Sequence, residues 1–140
     1  MNIDEIDQKF VRFGKNSGIA CAASILKYFN IDIKTDMLEE LIELDEKGNT
    51  SLVDIATALE SFGLITEGFQ ADAIVNMEGL SNPAIIPVFS DEGQNDFAIY
   101  YGKYKSKYLI GMPTWGLNLY TEWEFEAIWD NNILLVVRKF

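Results

Sequence analysis

The chain has 140 residues, 49% of them hydrophobic, and a formal charge of −11 from 22 acidic and 11 basic side chains. Length and apolar content suit one ordered globular domain spanning residues 1–140 and argue against a disordered tail. The acidic balance speaks against a nucleic-acid partner, since neutralising phosphates needs basic surface, and favours a basic or neutral one.

No apolar run approaches the roughly 20 residues needed to span a bilayer, so no direct membrane insertion by this segment is expected. The opening "MNIDEIDQKF" is acidic and mixed, unlike a secretory signal. A single cysteine, Cys21, cannot form an internal disulfide, which suits the reducing cytoplasm.

In "KNSGIACAASILKYF" a Ser-Gly pair runs into a helix whose apolar residues cover nearly the whole circumference. Such a helix is buried on most sides, and its small residues allow close packing. Ser17 is read as its N-cap. Thr35 is read as the cap of a second helix with Met37, Leu38, Leu41 and Ile42 inward. A third helix starts at "TSLVDIATALESFG": Ser51 and Asp54 have capping spacing, Leu52, Ile55, Ala56, Leu59 and Phe62 form the apolar stripe, and Gly63 sits at the C-terminal cap.

Beyond Gly63 the pattern changes to short β-rich runs, "LITEGFQA", "PAIIPVF", "DFAIYYG", "KYLIGM" and "NILLVVRKF". Between the last two, Thr121 and Glu124 have capping-box spacing and predict a short helix. Helices followed by an antiparallel meander define an α+β domain. Lys103, Lys105 and Lys107 alternate in a hairpin, where lysines ordinarily guard an exposed edge.

Chemistry is constrained by what the chain lacks. It contains no histidine, the commonest general base and zinc ligand, so no metal or other cofactor is expected. "DEGQND" gathers three carboxylates without EF-hand spacing and is read as a solvated turn. A serine nucleophile needs an adjacent base. Lys15 is near Ser17 in sequence, but nothing supplies the desolvated setting a basic lysine requires. Cys21 is read as a buried, inert thiol.

"NSGIACAASILKYFNI" resembles the opening motif of the bacteriocin-processing cysteine peptidases of family C39, an Asp-Cys-Gly-x-Ala-Cys/Ser run preceded by a glutamine. Further matches follow in order: "LEELIELDEKGNTSLVDIATALESFGLITEGFQAD", "LSNPAIIPVF", "NDFAIYYGKYKSKYLIGMPTWG" and "TEWEFEAIWDNNILLVV". The resemblance covers nearly the whole chain and implies a papain-like fold, with N-terminal helices packed on an antiparallel sheet.

It also implies that the departures fall on the reaction centre. Ser17 stands at the nucleophile position, Asp96 at the histidine, Met112 at the orienting aspartate and Val11 at the oxyanion-hole glutamine. Aspartate is a weak base badly matched to a serine proton. The resemblance therefore points to a non-catalytic, degenerate C39-like domain. Active members lie at the N-terminus of ABC exporters and cut leader peptides after a Gly-Gly pair. Degenerate ones in type I secretion transporters dock cargo without cutting it.

The expected partners are thus peptide or unfolded protein cargo, with the membrane and ATPase domains of an exporter of bacteriocin or another secreted peptide. Phe97, Trp115 and Tyr120 are candidate groove aromatics, with ordinary core packing the preferred reading. Trp129 is read as structural. Two alternatives stand beside this: a free-standing pseudopeptidase scaffold or regulatory binding protein, and a hydrolase with chemistry rebuilt at Ser17 or Cys21.

Overall fold

A computed structural model describes residues 1–12, 16–90 and 96–140. Lys15 and the turn residues 91–95 of "DEGQND" lie outside the described residues. In chain order the elements are α1 (Ile3–Lys9), α2 (Ser17–Tyr28), α3 (Thr35–Leu41), α4 (Leu52–Glu60), β1 (Leu64–Gln70), a 3-10 turn (Ile74–Met77), β2 (Ala84–Val88), β3 (Asp96–Tyr104), β4 (Lys107–Met112), β5 (Gly116–Tyr120), α5 (Glu122–Ile128) and β6 (Ile133–Lys139).

The strands form one antiparallel sheet in the order β1-β6-β2-β3-β4-β5. It is not a simple meander, because β6 returns to lie between β1 and β2. Neither β5 nor α1 carries a strong signal in the sequence. The lysine-bearing hairpin is no edge: β3 and β4 are interior strands, and the edges are β1 and β5. The edge-guarding role of these lysines is therefore incorrect. Lys103 instead pairs with Glu78 at 2.6 Å, and Lys105 occupies the turn with a φ of 58°.

Alternation along the strands sends side chains to two cores. Phe97, Ile99 and Tyr101 of β3, with Leu109 of β4 and Leu135 and Val137 of β6, pack under the N-terminal helices. Ala98, Tyr100, Tyr108, Ile110 and Leu134 face the other way, onto α5 and the 3-10 turn. Phe125 of α5 fills the second core, with Tyr100, Tyr108 and Trp129 rings 4.9 to 5.6 Å away. Trp129 is structural, its indole N–H donating to the Ile133 carbonyl at 2.8 Å.

In α2 every residue from Gly18 to Leu26 is buried, as its all-round apolar pattern predicts. The predicted caps of α4 and α5 are present. The Ser51 hydroxyl accepts from Asp54 N–H, and Thr121 and Glu124 form a reciprocal capping box. Gly63, with φ 87°, takes the left-handed conformation expected just past α4.

Two caps differ from expectation. α2 is capped by Asn16, whose side-chain oxygen accepts from Gly18 and Ile19 N–H, so Ser17 is the first helical residue and not the cap. α3 begins after Lys34 with no side-chain cap, and Thr35 is already inside it. Leu38 and Ile42 of that segment are buried, whereas Met37 and Leu41 are 52% and 50% exposed. The helix turns only one of its two apolar ridges toward α2.

Candidate functional site

The start of α2 meets the start of β3, and there two of the sequence-predicted positions, Ser17 and Asp96, come together, whereas Val11 and Met112 are held by Ser24 and Tyr120. Asn16 is held on both sides: its amide nitrogen donates to the Gly48 carbonyl at 2.7 Å while its oxygen caps the helix at 2.7 Å. With capping assigned to Asn16, Ser17 is left to face the sheet. Its hydroxyl oxygen accepts the backbone N–H of Phe97 at 3.0 Å. Asp96, the preceding residue, is half-buried and pairs with Val88 of β2.

One turn further in, Cys21 is fully buried, and burial, reinforced by the negative charge of Asp96, pushes its thiol far above the usual range. The thiol is thus held protonated, which removes its nucleophilic form at ordinary pH.

Val11 lies on the strap that precedes α2. Its N–H donates to the Ser24 hydroxyl at 2.7 Å, tying the strap to the second turn of that helix. On either side the strap rests on glycines. A Cβ built on Gly111 would sit 2.5 Å from the Phe10 ring, so no larger residue fits beneath it. The Arg12 guanidinium carbon is 3.3 Å from the Cβ position of Gly116. Ser24 therefore positions this strap, a role the sequence reading missed. A small hydroxyl in the middle of an apolar helix was the available signal.

Met112 closes β4, one rung beyond the Gly111–Ile99 pair, and its sulfur accepts the Tyr120 hydroxyl at 3.4 Å. Tyr120 is half-buried over this end of the sheet. Trp115, in the turn between β4 and β5, is 70% exposed, against the preferred core reading. Phe97 instead follows the preferred core reading and not the groove reading. Its ring is only 4% exposed and packs in the helix-side core, so it lines no groove; only its backbone N–H reaches Ser17.

A buried helix whose N-terminus abuts an antiparallel sheet, with Ser17 bonded to the backbone of the residue after Asp96, is the arrangement of a papain-like domain. The sequence profile described as the Peptidase C39 family matches residues 12–140, and the chain belongs to that family.

The chain is 28% identical over 121 residues to the Lactococcin-G-processing and transport ATP-binding protein LagD of Lactococcus lactis subsp. lactis. That match covers 86% of this chain but only 17% of LagD. Two solved structures share the fold. The peptidase domain of Streptococcus ComA, a bi-functional ABC transporter, superposes with a TM-score of 0.79 at 21% identity, over 90% of this chain and 93% of that one. A double glycine motif protease from an AMS/PCAT transporter, in complex with the leader peptide, gives 0.78 at 18% identity, over 91% and 87%.

Proposed function

We propose that this domain recognises peptide or unfolded protein cargo for an ABC exporter of bacteriocin or other secreted peptides, and does so without cutting it. The carrying observation is the pairing at the α2–β3 junction. Ser17 accepts from the Phe97 backbone, Asp96 stands beside it, and the chain has no histidine to take a serine proton. Cys21, held as a neutral thiol, offers no alternative nucleophile.

The partial match to LagD and the leader-peptide complex of a structural neighbour support peptide cargo and a transporter context. Among the described residues no helix is long and apolar enough to cross a membrane. The reading assigns this domain, through its likeness to exporter peptidase domains, to the cytoplasmic side of a transporter whose other parts span the bilayer. Trp115 and Tyr120, at the Met112 end of the sheet, supply aromatic surface for an apolar peptide side chain.

The test uses a fluorescent double-glycine leader peptide. Binding in the micromolar range or weaker, about −8 kcal/mol or less, with no cleavage on prolonged incubation, is the expected result. Turnover that disappears in Ser17→Ala would overturn it.

A further inference from the structure

We propose that the groove between α3 and the start of α4 is a docking surface for a Lys/Arg-rich segment of the cargo that also carries apolar side chains. This rests on the reading of the domain as a peptide-binding module, and it names the class of peptide.

Two adjoining depressions of about 650 and 500 Å³ share Glu43 and Leu44 and run from Ile19 of α2 to Asp54 of α4. Ile19 and Ile42, both core residues 1% exposed, and the half-buried Leu44 underlie them. Met37 and Leu41 of α3 and Val53 of α4 stand exposed on the same two helices, leaving apolar surface without a partner. Groove and junction are close in sequence and space. Ile19 follows Ser17 by two positions, and Asn16 is bonded to the Gly48 carbonyl of the loop before α4.

Charge selects the occupant. Six carboxylates line the two depressions, Asp36, Glu39, Glu40, Glu43, Asp45 and Asp54, and no basic side chain does. Among the described residues none of the six is in an ion pair. Nor do they converge. No group of three acidic, histidine or cysteine side chains among the described residues is close enough to hold a metal ion. Carboxylates spread along a trough whose flanking helices expose Met37, Leu41 and Val53 suit a polycation laid along it, with its ammonium or guanidinium groups toward the carboxylates and its apolar residues against those side chains. An acidic peptide of the same shape would meet like charge at every rim position.

The experiment measures anisotropy of two labelled amphipathic peptides of roughly 18 residues, one Leu/Lys and one Leu/Glu, against the 140-residue chain. The Leu/Lys peptide is expected to bind, to weaken with added salt, and to lose about tenfold in affinity in Glu40→Lys/Glu43→Lys. Glu122→Lys/Glu126→Lys changes the net charge equally, on exposed residues of α5 across the sheet, and should leave affinity within about twofold. Circular dichroism checks that both variants fold. Equal losses in the two variants would reduce the effect to overall charge and overturn the assignment. Binding untouched by Glu40→Lys/Glu43→Lys would also overturn it while leaving the peptide-binding reading intact. If neither peptide nor the double-glycine leader binds, both readings fall.

Discussion

The Ser17 hydroxyl and the Phe97 amide are hydrogen-bonded at 3.0 Å although 80 residues separate them in the chain. This bond pins the N-terminus of α2 to the start of β3, and it occupies the serine oxygen as an acceptor. Removing it in Ser17→Ala leaves a partly buried N–H unpaired and should cost about 1–3 kcal/mol in urea unfolding. Ser17→Cys restores a thiol at the nucleophile position. It should still leave a double-glycine peptide uncut, because no histidine exists to activate it. Cleavage by that variant, followed by mass spectrometry, would count against the non-catalytic reading.

Asn16 serves α2 twice, as cap and as tether to Gly48. Asn16→Ala removes both and should destabilise by about 2 kcal/mol, at the upper end for a lost cap. Asn16→Ser keeps a capping acceptor and loses the donor to the Gly48 carbonyl, so its unfolding midpoint should fall between wild type and Asn16→Ala. The order of the three midpoints is the check.

Stability should decline in alkali. Burial, then the charge of Asp96, raises the Cys21 thiol, and burial raises the Tyr100 and Tyr101 phenols. The folded state thus keeps these protons to higher pH than the unfolded chain. Their contribution is complete below the unfolded values, about 8.5 for cysteine and about 10 for tyrosine, and is lost as the pH rises through and beyond them. Unfolding free energy measured from pH 7 to 11 should be flat and then fall, more steeply past about 10. Cys21→Ala should delay the onset. In the same window iodoacetamide should label Cys21 only at the rate of unfolding.

Two aromatics of α5 offer a contrast within one short helix. Phe125 is fully buried among three rings, and Phe125→Ala should cost about 3–5 kcal/mol. Trp123, two residues earlier, is 82% exposed, and Trp123→Ala should stay within about 0.5 kcal/mol of wild type. Thermal melts of the pair test whether α5 is anchored by its inner face alone.

What the sequence disclosed depended on whether local chemistry decided the outcome. The capping box of Thr121 and Glu124 and the apolar circumference of α2 are local signals, and both are present. Asn16 and Ser17 are both good caps, and choosing between them required knowing that Phe97 lies opposite Ser17. In α3 the ridges Met37–Leu41 and Leu38–Ile42 have identical spacing, and only packing against α2 selects the second. The strand β5, with a half-exposed "GLNLY", has neither clean alternation nor a continuous apolar run. Strand order left no local trace at all. The resemblance to C39 peptidases carried the fold and brought Ser17 and Asp96 together, while ordinary core packing, the preferred reading of the aromatics, held for Phe97 and failed for Trp115 in its exposed turn.

The position of β6 has a consequence for biosynthesis. It alone bridges β1 to β2, pairing with both. A nascent chain that has not yet delivered residues 133–139 from the ribosome has β1 without a strand partner, and its helical and hairpin parts meet where the helices pack on β3. The sheet itself must wait for that last segment. Stalled chains released before Ile133 should be cut preferentially in the unpaired β1 segment, and those extended past Lys139 should become resistant there.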